Sequence, residues 1–227
     1  MSTQSHVILE QLKSLRNPRN IVGMARFGIN PRNTLGVSIP TLRRIAKQAG
    51  KDHRLARELW QSGIHEARIL AAMVDVPEQV TDAQMERWVK DFDSWDVCDQ
   101  VCSNLFDQTA FAHRKAVEWS RREEEFVKRA GFVLMAALAV HDKAASDAAF
   151  LKFLPIIQRA ATDERNFVMK AVNWALRQIG KRNAALNRAA IATAREIQQI
   201  DSRAARWIAA DALRELKQCA SKPTTRA

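Results

Sequence analysis

Apolar residues recur at intervals of three and four along nearly the whole chain, and runs of alternating β-branched residues are missing. This period is typical of amphipathic α-helices rather than of strands. The pattern therefore predicts an all-α protein, with helices over about 6–16, 21–27, 52–61, 64–75, 81–91, 95–106, 110–120, 123–141, 146–161, 165–179, 184–199 and 202–217.

Glycine and proline mark the joints between these helices. One clear loop, Gly28–Gly36, precedes a helix that has Pro40 in its first turn. Gly50, Gly63 and Gly180 each follow a periodic segment, as C-cap residues do.

From residue 52 onward the helices form consecutive pairs. Aligning the second helix of each pair brings into register one column of residues, Arg68, Asp99, Arg129, Lys170 and Trp207. The spacings of roughly 30–40 residues are typical of helical solenoids, in which one helix of each repeat lines a concave surface. We expect a single repeat domain over 1–217, followed by a C-terminal tail over 218–227, with the column facing one groove. The alternative is that these charges merely occupy the exposed faces of amphipathic helices.

The charge balance narrows the choice of partner. Lys and Arg total 36 against 25 Asp and Glu, which gives a formal net charge of +11 and a pI near 10.1. This excess favours a nucleic-acid partner and a basic DNA-binding face, although a basic surface without a ligand is the alternative.

The remaining composition excludes several classes of protein. The longest apolar run, Ala130 to Val140, is too short to span a membrane. The three cysteines, Cys98, Cys102 and Cys219, are expected to be thiols in a reducing compartment. The histidines have no metal-ligand spacing. We expect a soluble cytoplasmic protein, associated with the nucleoid if bacterial, that uses no metal and no cofactor.

One stretch, Ser94 to Asp99, places an indole and a carboxylate together. Trp95 and Asp99 are four residues apart, so they share one face of the predicted helix. Ser94 is expected to be its N-cap residue and Asp96 a first-turn acid that interacts with the helix dipole, and Glu66 has the same predicted role in its own helix. Asp99 also has a structural alternative as a helix-stabilising acid, and tryptophans at helical spacing usually belong to a core.

Four motifs together resemble the AlkD family of alkylpurine DNA glycosylases, which are built from HEAT-like repeats. They are Gly36-Val37-Ser38-Ile39-Pro40-Thr41-Leu42-Arg43, Trp95-Asp96-Val97-Cys98-Asp99, Val127-Lys128-Arg129-Ala130 and Lys170-Ala171-Val172-Asn173-Trp174-Ala175-Leu176-Arg177. The resemblance covers nearly the whole chain in order and spacing. It implies an α-solenoid of HEAT-like antiparallel helix pairs.

Carried over position by position, the resemblance implies a set of catalytic residues. The catalytic acid falls on Asp99, the two active-site tryptophans on Trp95 and Trp174, and the active-site arginine on Arg129. Family members contribute a tyrosine from the second helix, whereas this chain has no tyrosine, and its nearest counterpart lies around Gly23-Met24.

The implied activity is hydrolysis of the N-glycosidic bond of alkylated purines, of the 7-methylguanine and 3-methyladenine type, in duplex DNA by a monomer. The enzyme would be monofunctional and leave an abasic site. A lysine nucleophile, for which Lys170 is the candidate, would instead make it bifunctional. Two further alternatives are a catalytically silent relative that binds branched or damaged DNA, and a protein-binding scaffold.

Basic residues outside the catalytic set are the predicted phosphate contacts. Arg129 is expected to clamp a phosphate or, without DNA, to pair with Asp99. The predicted DNA-binding residues are Arg68, Lys170, Arg177, Lys181 and Arg182. Arg43 and Arg44 form a second anchor or a solvated surface pair.

Overall fold

The computed structural model of the protein describes residues 1–220 and contains no strand within them. Its fourteen α-helices in this range are α1 Thr3–Ser14, α2 Pro18–Arg26, α3 Ile39–Ala49, α4 His53–Gln61, α5 His65–Val74, α6 Asp82–Lys90, α7 Trp95–Asn104, α8 Ala112–Trp119, α9 Glu125–His141, α10 Asp147–Leu151, α11 Leu154–Arg159, α12 Asn166–Gly180, α13 Ala184–Gln198 and α14 Arg203–Ala220. Three single turns of 3-10 helix add Pro77–Gln79, Phe106–Gln108 and Ala160–Thr162. The all-α prediction is confirmed.

The chain divides into two compact units, Met1–Phe111 and a second that begins at Ala112. In the N-terminal unit, α5 packs against α3, α4 and α7. Apolar residues surround α5 on most of its circumference, and Ala67, Ile69, Leu70, Ala71 and Ala72 are buried. A helix that is apolar nearly all round is stable only inside a core, so α5 forms the centre of this unit. A single repeat domain over 1–217 stays a prediction.

Two tryptophans form an aromatic part of the N-terminal core. The rings of Trp60 and Trp88 stack with their centroids 4.0 Å apart and their planes 3° from parallel. Trp60 also donates its indole N–H to Asp91 Oδ2 at 2.8 Å, which satisfies its one buried polar group. These two tryptophans are therefore core residues.

In the second unit, α9 packs against α8 and α12, and α13 packs against α12 and α14. Residues 129–139 of α9 are all buried. Gly131 permits the close approach of α8, because a Cβ atom there would lie 2.4 Å from the backbone nitrogen of Ser120. The helix that carries Arg129 is consequently fixed by backbone-to-backbone packing.

The single helix predicted over 146–161 is wrong. The segment forms α10, α11 and one 3-10 turn, with Pro155 in the first turn of α11. Proline has no N–H to donate and its ring clashes with the preceding turn, so a helix begins at this position more readily than it continues through it.

The C-cap predicted at Gly180 is also wrong, whereas Gly50 and Gly63 do follow helices with positive φ angles of 76° and 67°. Gly180 is the last residue of α12, and a Cβ atom there would lie 2.6 Å from Leu216. It is needed for close packing. Of the predicted tail, residues 218–220 belong to α14, whereas 221–227 and the side chain of Cys219 lie outside the described residues.

Candidate nucleic-acid interface

Trp95 and Asp99 lie one turn apart on α7, both half-buried, as the sequence predicts. The indole N–H of Trp95 donates to the backbone oxygen of Phe27 at 3.0 Å. This bond ties the ring to the C-terminal end of α2 and fixes its orientation.

The first turn of α7 makes contacts that the helix-capping interpretation missed. Ser94 precedes the helix as predicted, but its side chain makes no capping bond and instead accepts the backbone N–H of Asn30 at 2.8 Å. Asp96 Oδ2 lies 2.8 Å from His65 Nε2. Although burial alone would lower the pKa of His65, the hydrogen bond and charge of Asp96 raise it above the ordinary histidine value. Both side chains therefore bind other segments of the chain rather than their own helix end.

Glu66 was predicted only as a first-turn acid, and its main role was missed. Its side chain is 1% exposed and accepts backbone N–H groups from Leu35, Gly36 and Val37 at distances of 2.6–3.2 Å. The loop before α3 is thus held onto α5 by a buried carboxylate. Gly36 is required there, because its φ is +79° and a Cβ atom would lie 2.4 Å from the backbone oxygen of Asn17.

The same α7 carries two buried thiols, Cys98 and Cys102. Burial raises the pKa of Cys102 well above its ordinary value, so this thiol stays protonated. Both thiols contribute to packing beneath the Trp95 and Asp99 face. Among the described side chains, no group of three or more His, Cys, Asp or Glu is arranged to hold a metal ion.

The longest cationic segment of the chain is in the N-terminal unit. Between Glu10 and Asp52 there are nine Lys and Arg residues and no acidic residue. All nine are exposed, and seven of them form no ion pair with any described residue: Arg16, Arg19, Arg26, Arg32, Arg43, Arg44 and Lys47. Of these, only Arg43 and Arg44 were predicted as DNA contacts, although the absence of acids over this range was visible in the sequence. Unpaired exposed cations are available to phosphate groups.

Other predicted contacts are engaged within the protein. The Arg68 guanidinium lies 5.4 Å from the Trp60 ring centroid and donates to the backbone oxygen of Asp91 at 2.9 Å. Arg182 donates to the backbone oxygens of Ala139 and Ala145 at 3.1 and 3.0 Å. These two arginines have structural roles, and their predicted DNA contacts stay predictions.

In the second unit, Arg129 on α9 is 5% exposed and donates to the backbone oxygen of Phe167 at 2.5 Å. Trp174 on α12 is half-buried. Whether these residues act with Trp95 and Asp99 in one site stays a prediction.

Glu215 of α14 binds two further predicted contacts. It accepts a hydrogen bond from Arg177 and lies 2.7 Å from Lys181 Nζ. A carboxylate therefore competes with any phosphate for these two cations.

Lys170 and Trp207 do come together. Both line a depression of about 410 Å³, with Arg203 beside them and Glu164 as its acidic member. Trp207 is 41% exposed, unlike the core tryptophans. The register that the sequence predicts for these two column residues is confirmed.

One buried ion-pair cluster stabilises the turn before α12. Asp163 lies 2.6 Å from Arg165 and 3.1 Å from Lys128. Burial alone would raise the pKa of Asp163, but the hydrogen bonds from Arg165 and Lys128 lower it to about 2.

Comparison with solved structures defines the class of fold. One chain, reported as belonging to "a new family of proteins related to the HEAT-like repeat DNA glycosylases with affinity for branched DNA structures", aligns with a TM-score of 0.77 at 19% identity, over 93% of this chain and 95% of that one. A second solved structure, of an engineered protein, has a TM-score of 0.43 at 15% identity, over 96% and 100%. The protein is an all-α protein with the HEAT-like repeat fold.

A family model places the chain more closely. The model described as "DNA alkylation repair enzyme" matches residues 8–216, which is nearly the whole chain. The protein belongs to this family. No curated protein sequence matches the chain significantly, and of the helices described, none combines the length and the apolar character needed to cross a bilayer.

Proposed function

We propose that the protein is a monofunctional DNA glycosylase that removes alkylated purines, of the 7-methylguanine and 3-methyladenine type, from duplex DNA. The observation that carries this proposal is the placement of Trp95 and Asp99 on one face of α7, in a chain that belongs to the DNA alkylation repair enzyme family. Trp174 and Arg129 complete the proposed set.

The chemistry needs a group that stabilises positive charge on the sugar. As the bond between C1′ and the base nitrogen breaks, the bonding electron pair leaves with the base and the deoxyribose gains oxocarbenium character. The Asp99 carboxylate stabilises that charge, and it accepts a proton from the water whose oxygen forms the new bond to C1′. The electron-rich face of Trp95 favours the same cation by about 0.5–2 kcal/mol. A cationic alkylpurine leaves as a neutral base, so no acid is needed to protonate it.

DNA binding is supported by the exposed cations between Glu10 and Asp52. Seven of them have no ion-pair partner among the described residues, so they can replace the counterions of the phosphate backbone. Affinity for duplex DNA should therefore fall steeply as the salt concentration rises. An affinity independent of salt would indicate a protein-binding scaffold instead.

The second candidate is a catalytically silent DNA-binding protein with a preference for branched DNA. Two observations favour it: the structural relative is described as having affinity for branched DNA, and the chain has no tyrosine, with Gly23 and Met24 near the position where the resemblance expects one.

One experiment separates the two candidates. The protein is incubated with alkylated duplex DNA, and released methylated bases are measured by chromatography. Release supports the glycosylase. No release, together with tighter binding to a four-way junction than to a linear duplex, supports the second candidate.

A further inference from the structure

A cavity of about 600 Å³ lies within the N-terminal unit, beside the N-terminal half of α7. Its walls are mainly apolar and are formed by Met24, Ile29, Val37, Ile39 and Ile69. Cavities of this size, with apolar walls and a few well-placed polar groups, are typical of small-molecule and cofactor sites.

Helix α2 leaves this cavity open on one side. Gly23 lines the cavity, and a Cβ atom on it would meet no other atom within 4 Å. Helix α2 also buries none of its own side chains. The space beside Gly23 is therefore large enough to receive a ring from outside.

The polar wall of the cavity contains one acceptor without a donor. Asp96 lines the cavity, and its Oδ2 is bound to His65, but its Oδ1 is buried and has no hydrogen-bond partner. The neighbouring carboxylate of Glu66 is different, because three backbone N–H groups occupy it. Leaving a buried acceptor unpaired costs about 1–3 kcal/mol, so a ligand N–H that reached Asp96 would be favoured.

Trp95 supplies the aromatic wall. It lines the cavity, and its bond to the backbone oxygen of Phe27 fixes the indole in place. An indole held in this way offers a surface on which a planar heterocycle can stack. Trp95 also shares a helix face with Asp99, so a ring on this wall would lie within about one helical turn of the proposed catalytic acid.

The rim of the cavity is cationic. Arg19 lines it, and Arg26 at the end of α2 is exposed and has no ion-pair partner among the described residues. A planar apolar ring attached to a phosphate-bearing chain therefore fits the charge as well as the shape.

We propose that this cavity binds an amino-bearing purine base rotated out of the DNA duplex. The base stacks on Trp95, and one of its N–H groups donates to Asp96 Oδ1. The unstacking of one nucleotide costs a few kcal/mol, which these contacts offset. The proposal rests on the proposed function for its DNA substrate, but base binding itself needs no catalysis.

The test uses free bases and no DNA. Binding of 3-methyladenine, adenine and purine to the full chain is measured by saturation-transfer NMR and titration. We expect 3-methyladenine and adenine to bind, and purine, which has the same rings without the amino group, to bind at least about fivefold more weakly.

Two variants carry the test and one is the control. Gly23→Phe fills the cavity, and we expect it to weaken the binding of 3-methyladenine at least about tenfold. The control is Val22→Phe, which adds the same ring at a neighbouring position that is 57% exposed. It should bind like the wild type. Asp96→Asn alters the acceptor without filling the cavity and should abolish the preference for adenine over purine.

Each outcome is decisive. Equal binding by Gly23→Phe and Val22→Phe, or no binding of 3-methyladenine by the wild type, overturns the proposal. Equal affinity for adenine and purine in the wild type overturns the role of Asp96. Base binding without release from alkylated DNA supports the cavity and refutes the glycosylase, whereas release without base binding does the reverse.

Discussion

The most informative structural perturbation is at Glu66, whose buried carboxylate holds the loop before α3. It accepts the backbone N–H groups of Leu35, Gly36 and Val37, with distances of 2.9, 2.6 and 3.2 Å. Hydrogen bonds to a charged group contribute about 1.5–3 kcal/mol each, against about 0.5–1.5 kcal/mol for neutral pairs.

The substitution Glu66→Gln keeps the shape of the side chain and removes its charge. If the amide oxygen takes the place of Oε1, it still accepts all three N–H groups, because Leu35 lies 3.0 Å from that oxygen as well. The loss is then the charge assistance of three bonds, about 1 kcal/mol each, or about 3 kcal/mol in total. Glu66→Ala should cost more, since it leaves the three donors without this acceptor.

The assay is urea denaturation followed by far-UV circular dichroism. The matched control is Glu78→Gln, which neutralises an exposed acid in the same unit. We expect the control to change the free energy of unfolding by less than about 0.5 kcal/mol. If Glu66→Gln lies within that range too, the buried carboxylate does not hold the loop and the reasoning is refuted.

Three further predictions concern packing, pH and DNA affinity. Gly131→Ala should lower the free energy of unfolding by about 1–3 kcal/mol, because its Cβ meets backbone at 2.4 Å, whereas Gly23→Ala should be neutral or stabilising; equal denaturation midpoints would contradict this. Asp163, with a folded pKa of about 2 against about 4 when unfolded, contributes stability that is present above about pH 4 and is lost as the pH falls to about 2. Asp163→Asn should therefore cost roughly 1–2 kcal/mol at pH 7 and nothing near pH 2, and a cost that does not vary with pH in urea titrations would be evidence against it. Glu215→Gln should raise the affinity for duplex DNA about threefold in anisotropy titrations, because it releases two cations, and an unchanged affinity would mean that neither cation contacts phosphate.

The helices were predictable because their signal is local. The period of the apolar residues placed α4, α5, α12 and α13 within one or two residues of their observed ends. The break between α10 and α11 was missed because the apolar period continues through it, although Pro155 marks the position. The division into two compact units has no marker in the sequence, since no linker separates them.

The contacts of the polar site residues could not be predicted from local patterns. The partners of Glu66 are about thirty residues earlier in the chain, and those of Arg182 about forty. A sequence pattern identifies an arginine or a glutamate, but only the fold decides whether backbone groups reach it first. This is why Arg68 and Arg182 look like surface cations in the sequence and are structurally engaged in the fold.

The position of the indole and carboxylate on α7 was predictable, because a helix fixes the relative direction of residues four apart. The cavity beside them was not, since it depends on Gly23 of α2 and on the loop that Glu66 holds.

The central claim is that Asp99 carries out glycosidic hydrolysis, and base release by matched variants tests it most directly. Release of 7-methylguanine and 3-methyladenine from alkylated duplex DNA is compared for the wild type, Asp99→Asn and the control Asp201→Asn, an acid whose side chain is 100% exposed. The account predicts release by the wild type and the control, and at least about a hundredfold slower release by Asp99→Asn with unchanged DNA binding. Equal release by all three proteins, or none from the wild type, would contradict it.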